Sequence, residues 1–317
     1  MPSLIMILIN NNKITDPRIN LAIEEYCFRN LDFGDDYLFL YINRPSVIIG
    51  KHQNAWEEVD LDSIRQFHIP LVRRLSGGGA VYHDRGNINF CHFTKQESGK
   101  LLNYATFVEP VLNMLRHLGI PGELKENGIF VGNKKISGNS QHADTKKMFS
   151  HGTLLLDCDL GALQGVLNPK PGQYKSQGIK SVQSDVANIA DYLPRPAEVV
   201  STMELLQECY CELYGKIEEF DLSDRVWARI NQLSQTKYNS WDWNFGKSPK
   251  FVFQQYFDLN YTKITATLYV DKGIVIDIKV DRGDGSGDGC AGQLNNFIGK
   301  RFTPSLLTEC FLPREAN

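Results

Sequence analysis

Residues 72–90 read VRRLSGGGAVYHDRGNINF and place two arginines, three consecutive glycines and a His-Asp pair between apolar segments. Glycines lose more backbone entropy on ordering than other residues, so a triplet favours a tight bend or a ligand lying against the main chain. The pattern predicts a β-strand over residues 71–74 and extended chain over residues 80–93. Backbone N–H groups at such a bend bind anions, and arginine adds charged donors. Because adjacent strand side chains point to opposite faces, we expect only one of Arg73 and Arg74 to face a ligand.

The glycine spacing differs from the two common phosphate-binding signatures. It is neither G-x-G-x-x-G nor G-x-x-x-x-G-K-[ST], so an ordinary dinucleotide site and a P-loop are not indicated. The alternative interpretation is a glycine-rich hairpin with solvated arginines, because glycine clusters mark turns far more often than sites.

A second cationic segment, VGNKKISGNSQ, occupies residues 131–141. Alternating residues from 127 to 137 around Gly132-Asn133 predict a β-hairpin. Lys135 and Ser137 lie two apart and therefore share one face of the strand, whereas Lys134 faces the other way. A lysine near an anion site stabilises negative charge that builds in a transition state. The alternative is a surface hairpin with two solvated lysines.

Histidine and cysteine residues give weaker signals. His83-Asp84 follows the glycines, where polar neighbours tune an imidazole, and His151 begins another predicted strand, where a lone histidine is more often structural. No H-E-x-x-H metal spacing and no G-x-S-x-G nucleophile elbow is present in the sequence. The seven cysteines are odd in number and include no C-x-x-C pair, which favours reduced thiols in a cytoplasmic protein.

The composition is that of a globular protein with a sizeable core. The chain has 317 residues, of which 42% are hydrophobic and 22% charged, and its net charge of -3 disfavours a broad nucleic-acid footprint. The apolar run over residues 4–9 is too short to span a membrane and lacks signal-peptide flanks, so it is interpreted as a first β-strand. Predicted helices at residues 18–29, 60–67, 104–118 and 198–214 interrupt mainly antiparallel strands without a regular repeat. We therefore expect an α+β fold with mixed or antiparallel sheets flanked by helices.

A change of composition near residue 239 predicts a domain boundary. The segment NSWDWNFGKSPKF is rich in Trp, Gly and Pro, which favours a catalytic domain over residues 1–245 and a small α+β domain over residues 246–317. Within the small domain we expect strand-like runs at residues 254–270 and 273–280, and a final helix near residues 304–311.

Together the motifs resemble the lipoate-protein ligase A family. RRLSGGGAVYHDRGN is followed by KKISGNSQ and then by HGTLLLD, with NRPSVIIGKHQN before them and KSQGIKSVQSDVANIADYLP after them. The C-terminal WNFGKSPKF and its strands are similar to the accessory domain of the long-form ligases. The resemblance covers nearly the whole chain, and the ordered set of motifs is specific. The wider superfamily also includes biotin ligases and octanoyltransferases, so membership of the superfamily alone does not fix the reaction.

This resemblance implies a two-step acyl transfer. Lipoate attacks the α-phosphate of ATP in the presence of Mg²⁺ and gives lipoyl-AMP and pyrophosphate. The amine of a carrier lysine then forms an amide and releases AMP. The implied partners are lipoyl carrier domains, such as those of 2-oxoacid dehydrogenase E2 subunits and the glycine cleavage H protein, with no nucleic acid and no membrane. A monomer in the cytoplasm is expected.

The resemblance also implies roles for individual residues. Lys135 is the expected catalytic residue and contacts both the lipoyl carbonyl and the phosphate, while Arg74 holds phosphate. The main chain from Gly79 to Tyr82 is expected along the adenylate, and His83, Asn87 and His151 line or support the pocket. The full set of expected binding residues is Arg74, Ser76, Gly77, Gly78, Gly79, Ala80, Val81, Tyr82, His83, Asn87, Lys135, Ser137, Gly138, His151, Gly152 and Thr153. The apolar acyl tail requires a hydrophobic tunnel, and the metal ligands are left unassigned.

Two departures from the family pattern leave alternatives open. Asn127-Gly128 stands where the family usually has Asn-Asp, and Asp185 stands where it tends to have arginine. The segment from Pro121 to Phe130 contains no cysteine, which argues against a thioester-forming octanoyltransferase. The alternatives are a lipoyl or octanoyl transferase that acts without ATP and a non-catalytic lipoate or adenylate binder. Retention of Lys135 disfavours the binder.

Overall fold

The computed structural model describes residues 5–32, 34–169, 174–259, 262–283 and 295–307, and the expected α+β fold is confirmed. The strands are β1 (Ile5–Asn10), β2 (Asp36–Ile42), β3 (Ser46–Ile49), β4 (Leu71–Arg73), β5 (Val81–His83), β6 (Asn87–Lys95), β7 (Glu123–Lys125), β8 (Gly128–Val131), β9 (Lys134–Ala143), β10 (Lys147–Leu155), β11 (Tyr174–Ser176), β12 (Lys216–Asp221), β13 (Phe251–Leu259), β14 (Thr262–Asp271) and β15 (Ile274–Arg282). The helices are α1 (Pro17–Asn30), α2 (Ala55–Glu58), α3 (Leu61–Gln66), α4 (Tyr104–His117), α5 (Leu160–Val166), α6 (Val199–Tyr214), α7 (Asp224–Leu233) and α8 (Trp241–Asn244). A π-helical turn spans Ser234–Tyr238, and 3-10 turns span Ile189–Tyr192 and Asn295–Phe297.

The largest sheet has eight strands in the order β12-β1-β2-β6-β10-β9-β8-β7. Strand β1 pairs in parallel with β2 and β12, whereas the remaining neighbours pair antiparallel. Alternate side chains pack to opposite faces. Leu38 and Leu40 join helices α4 and α6 in one core, and Phe39 and Tyr41 join helices α1 and α7 in another. Helices therefore cover both faces of this sheet.

A three-stranded sheet, β4-β3-β5, connects the large sheet to the C-terminal part of the chain. Ile48 packs towards helix α1, while Val47 and Ile49 face a third core on the other side. That core also contains Trp56, Phe251 and other residues of the C-terminal sheet, whose order is β11-β13-β14-β15. One buried cluster thus joins residues from both sides of the predicted boundary at residue 245, and the division into two domains stays a prediction.

Most predicted elements are present with small shifts at their ends. Helix α1 begins where Asp16 accepts a hydrogen bond from Arg18 N and Pro17 occupies the first turn, as expected for a capped start. The hairpin around Gly132 joins β8 to β9. The predicted strand over residues 254–270 is instead two strands, β13 and β14, which pair antiparallel to each other. Residues 308–311 of the predicted last helix lie outside the described residues.

Two structural features were not predicted from the sequence. Helix α7 and the π-helical turn that follows it pack against α1 and bury Ile230 and Tyr238. The predicted boundary segment is also well packed, since Trp241 and Phe245 contact Trp56. In the described ranges, no helix is both long and apolar enough to cross a membrane.

Candidate active site

The three glycines form a tight turn that Arg74 holds from inside. Gly78 has φ +84°, a conformation that glycine adopts without strain. The Arg74 guanidinium donates hydrogen bonds to the carbonyls of Gly79 at 2.8 Å, Gly77 at 2.5 Å and Ile48 at 3.2 Å. The turn also packs closely against Gly50, where a Cβ atom would lie only 2.1 Å from Gly78 O. Arg74 therefore braces the turn through its carbonyl oxygens.

Arg73 has a different role in the fold. Its side chain is fully buried and donates to the carbonyls of Gly50 at 3.0 Å, Gln53 at 2.7 Å and Asn244 at 2.8 Å. Burial, with a contribution from the neighbouring Arg74 charge, lowers the pKa of Arg73 to about 10. Arg73 thus joins the loop after β3 to helix α8. Both arginines are buried, and neither lines the cleft described below.

Lys135 lies at an irregularity in the β8–β9 hairpin. Phe130 pairs with Lys135 and Ile129 pairs with Ser137, so one extra residue of β9 forms a β-bulge. Bulges redirect side chains and are common beside active sites. The aliphatic stem of Lys135 lies against Gly128 and Gly138. A Cβ atom on Gly128 would lie 2.8 Å from Lys135 Cε, and one on Gly138 would lie 3.5 Å from the same atom. Burial lowers the pKa of Lys135, and the charge of Glu126 opposes this.

The chain that leaves the glycine turn and the lysine hairpin both line a cleft of about 770 Å³. Ser140 of β9 donates a hydrogen bond from Oγ to Gly77 O at 3.0 Å, which joins the two motifs directly. The size of the cleft is within the range of small-molecule and cofactor sites. Its lining residues are Glu57, Glu58, Ala80, Val81, Tyr82, Lys135, Ser137, Gly138, Thr153, Leu155, Leu163, Gln164, Leu167, Asn168, Pro169, Lys180, Ser181, Val182, Gln183, Ser184, Asp185 and Val186.

Residues 177–187, called the strap below, form one wall of this cleft. The strap hydrogen-bonds to the lysine strand, where Lys135 N donates to Asp185 O at 2.7 Å and Ala187 N donates to Lys135 O at 3.1 Å. It also meets the glycine turn, where Ala80 N donates to Ser181 Oγ at 2.8 Å. The strap therefore contacts both motifs that the sequence singled out.

A buried chain of polar side chains lies behind the turn. Arg74 Nε donates to Ser76 Oγ at 3.0 Å, and Ser76 Oγ lies 2.7 Å from His151 Nε2. His151 Nδ1 lies 3.1 Å from Glu24 Oε2, and the other oxygen of this carboxylate, Oε1, accepts from Tyr41 OH at 3.0 Å. These partners assign the proton of a neutral His151 to Nδ1. The chain therefore anchors the turn to helix α1.

Three buried polar atoms close to the cleft strands have no partner in the described part of the chain. They are His83 Nε2, Asn87 Oδ1 and Asn139 Oδ1. Burial, together with the charges of Arg74 and His151, lowers the pKa of His83 to about 3, so its imidazole is neutral. His83 Nδ1 accepts from Asn43 Nδ2 at 3.0 Å, which leaves Nε2–H as an unpaired donor. Unpaired buried polar groups are rare and indicate a missing hydrogen-bond partner, such as a polar ligand.

The structure separates the sixteen expected binding residues into three groups. Seven line the cleft: Ala80, Val81, Tyr82, Lys135, Ser137, Gly138 and Thr153. Five belong to the turn and its brace: Arg74, Ser76, Gly77, Gly78 and Gly79. Four lie on strands behind them: His83, Asn87, His151 and Gly152.

Sequence reasoning missed other parts of the cleft wall. Helix α2 contributes Glu57 and Glu58, and helix α5 contributes Leu163 and Gln164. A possible signal for α2 was Asn54, which caps this helix by accepting from Trp56 N at 3.2 Å.

The acidic groups of the cleft allow a test of the expected Mg²⁺. Glu57 Oε1 is buried without a hydrogen-bond partner among the described residues, and the exposed Asp185 lines the same cleft. Carboxylate oxygens are suitable ligands for Mg²⁺, which in nucleotide sites keeps several waters and binds mainly through phosphates. Glu57 and Asp185 therefore offer the ligand chemistry that a nucleotide-bound magnesium ion requires.

Comparison with known proteins gives consistent matches. The family model for the lipoyl protein ligase A/B catalytic domain matches residues 16–211. The lipoate-protein ligase LplJ of Bacillus subtilis is 41% identical over 96% of this chain and 93% of its own length. Lipoate--protein ligase 1 of Staphylococcus aureus is 45% identical over 79% of this chain and 76% of its own length.

Solved structures match the same region. A lipoate-protein ligase A bound with ATP is 30% identical with a TM-score of 0.66, over 78% of this chain and 100% of that one. A putative lipoate protein ligase from T. acidophilum with bound lipoic acid is 30% identical with a TM-score of 0.65, over 77% of this chain and 100% of that one.

Proposed function

The chain belongs to the lipoyl protein ligase A/B family, and we propose that it is an ATP-dependent lipoate–protein ligase. The observation that carries this proposal is the shared cleft, in which the chain that leaves the glycine turn (Ala80, Val81 and Tyr82) and Lys135 line one volume of about 770 Å³. Relatives named as lipoate–protein ligases cover most of the chain, and similar structures are described with ATP and with lipoic acid. ATP and lipoate are therefore the substrates of the first step.

In that step a lipoate carboxylate oxygen attacks the α-phosphorus of ATP. A new P–O bond forms at the α-phosphorus. The bond from this phosphorus to the oxygen that bridges the α- and β-phosphates breaks, and pyrophosphate leaves. Both reactants are anions, so the site must supply positive charge where negative charge builds. We assign this role to the Lys135 ammonium, which burial makes more effective than an exposed lysine. The main chain from Gly79 to Tyr82, held by Arg74, lies along the adenylate.

In the second step the neutral ε-amine of a carrier lysine attacks the lipoyl carbonyl of lipoyl-AMP. An amide C–N bond forms, the bond to the phosphate oxygen breaks, AMP leaves, and the amine loses a proton. Lys135 stabilises the developing charge on the carbonyl oxygen and on the departing phosphate. His83 lies behind the residues that line the cleft, so we assign it a supporting role there.

Mg²⁺ supplies charge neutralisation on the ATP phosphates in the first step. We propose Glu57 and Asp185 as the groups that would hold it. No cysteine lines the cleft in the ranges that the structure describes, which gives no support to the thioester alternative.

Lipoyl domains of E2 subunits and the glycine cleavage H protein are the proposed carriers. A structural neighbour is described as a bipartite lipoate protein ligase with its E2 lipoyl domain from Thermoplasma acidophilum. We further propose a cytoplasmic monomer. The cysteines in the described ranges are all free, which suits a reducing compartment.

The proposal is tested with purified protein, lipoate, ATP and Mg²⁺. We expect lipoate-dependent release of pyrophosphate, followed by a lipoyl mass increase on an added lipoyl domain. Pyrophosphate release no faster than in a control without lipoate would exclude the ligase. A mass increase from an acylated carrier donor without ATP would establish the transferase instead.

A further inference from the structure

A buried glutamate at the end of helix α2 fixes the strap. Glu58 is 6% exposed. Its Oε2 accepts hydrogen bonds from Ser181 N at 3.1 Å, from Gln53 Nε2 at 2.7 Å and from the Ser181 hydroxyl. Hydrogen bonds to an ionised acceptor are roughly twice as strong as neutral ones. This carboxylate therefore restrains the strap at Ser181.

Ser181 passes the restraint to the glycine turn. Its Oγ accepts from Ala80 N at 2.8 Å, and Gln53 Oε1 accepts from Gly50 N at 2.8 Å, next to the same turn. A Cβ on Gly79 would lie 3.0 Å from Ser181 Oγ and 3.2 Å from Ser181 Cα. The third glycine of the triplet thus leaves the space into which the strap fits.

Four residues further on, the strap restrains the strand of the proposed catalytic lysine. Asp185 O accepts from Lys135 N at 2.7 Å, and Ala187 N donates to Lys135 O at 3.1 Å. The segment between Ser181 and Asp185 therefore spans the cleft from one reactive wall to the other. Val182 is 88% exposed and the next two residues are exposed as well, so few contacts other than the two ends hold this segment.

We infer that Glu58 is a positioning residue of the ligase. It acts through Ser181 and keeps the main chain at Ala80 in a fixed relation to Lys135 while nucleotide binds. Its catalytic meaning rests on the proposed function, whereas the restraint on the strap is a property of the ligand-free protein. The two are therefore measured separately.

The restraint is measured by limited trypsin digestion of the ligand-free full chain. The exposed Lys180 precedes Ser181, and mass spectrometry reports cleavage of the bond between them. Loss of charged hydrogen bonds raises the open fraction of the strap, so cleavage should be about tenfold faster in Glu58→Ala and in Ser181→Ala. Gln177→Ala alters an exposed strap residue outside the cleft and serves as the matched control with wild-type cleavage.

The catalytic consequence is measured as a split between KM and kcat. For Glu58→Ala we expect the KM for ATP to rise about tenfold, with a smaller change in kcat, because the binding wall loses its preorganisation. Glu58→Gln keeps an acceptor oxygen and should recover most of the affinity. If Glu58→Ala acted only by lowering stability, Glu58→Gln would not selectively restore the KM for ATP. Thermal melting of each variant identifies one that fails to fold, in which case Ser181→Ala carries the test.

The outcomes separate the two proposals. Wild-type cleavage rates in both Glu58→Ala and Ser181→Ala would overturn the restraint, even if the enzyme is a ligase. Faster cleavage with an unchanged KM for ATP would overturn the positioning role. Failure of the wild type to release pyrophosphate would end the ligase proposal, and the cleavage rates would still decide whether Glu58 fixes the strap.

Discussion

Replacing Lys135 by methionine isolates the charge that the cleft supplies. Methionine keeps an unbranched stem, so the contacts against Gly128 and Gly138 are largely retained while the ammonium is lost. The Lys135 ammonium forms no hydrogen bond or ion pair with the described residues, so its removal leaves no charge unpaired there. The loss of stability should accordingly be small, within about 0.5 kcal/mol.

The expected loss of rate follows from the position of the ammonium. A preorganised donor in a partly buried site contributes about 2.7–4 kcal/mol to the transition state, or a factor of about 100 to 1,000 in rate. Lys134→Met is the matched control, because Lys134 is exposed and does not line the cleft. Its rate should stay within about twofold of wild type.

The assay follows the two steps separately, as lipoate-dependent pyrophosphate release and as amide formation from synthetic lipoyl-AMP. Melting curves accompany each variant. The charge argument predicts that Lys135→Met keeps no more than about a hundredth of the wild-type rate. Retention of more than about a tenth of that rate would refute it. Equal losses of rate in Lys134→Met and Lys135→Met would refute the placement of Lys135 in the cleft and Lys134 outside it.

Four further predictions concern the two arginines, the titration of Lys135 and the metal ion. Arg73→Ala should lower the free energy of unfolding by about 3–5 kcal/mol, because buried carbonyl groups lose their donors. Urea titration measures this change, and a value below about 1 kcal/mol would contradict the prediction. Arg74→Ala should instead weaken nucleotide binding in calorimetry by more than Arg73→Ala does, and the reverse order would mean that the turn does not need its brace. Burial lowers the pKa of Lys135 from 10.5, so the ammonium is lost below that pH and the rate should fall there as pH rises. Lys135→Arg should show no such fall. A fall in rate centred on the unshifted pKa would argue against Lys135 as the titrating group. Chelation of Mg²⁺ by EDTA should abolish pyrophosphate release but spare transfer from synthetic lipoyl-AMP, and undiminished release would remove the metal from the first step.

The sequence predicted most of the elements that build the cleft. Strand β4, the glycine turn and the hairpin carrying Lys135 follow from local patterns, because turns and short strands are encoded by neighbouring residues. The prediction that only one arginine faces a ligand used strand alternation alone. That prediction stays untested, and alternation did not reveal that carbonyl groups distant in sequence bind the buried Arg73.

The remaining part of the cleft depends on long-range contacts that no local pattern encodes. Glu58 and Ser181 are 123 residues apart, yet they share a hydrogen bond. The bulge that redirects Lys135 likewise arises from pairing with Phe130 across the hairpin, and alternation along one strand does not reveal it. Helix α7 is different, because Val226, Ile230 and Leu233 recur at helical spacing and gave a local signal that the analysis of the sequence missed.

A structure of the protein with a non-hydrolysable lipoyl-adenylate analogue tests the central claim most directly. We predict that the analogue occupies the cleft, with its phosphate mimic within hydrogen-bond distance of Lys135 Nζ and alongside the main chain of Gly79–Tyr82. An analogue bound elsewhere, or bound with Lys135 directed away from the phosphate mimic, would contradict the account.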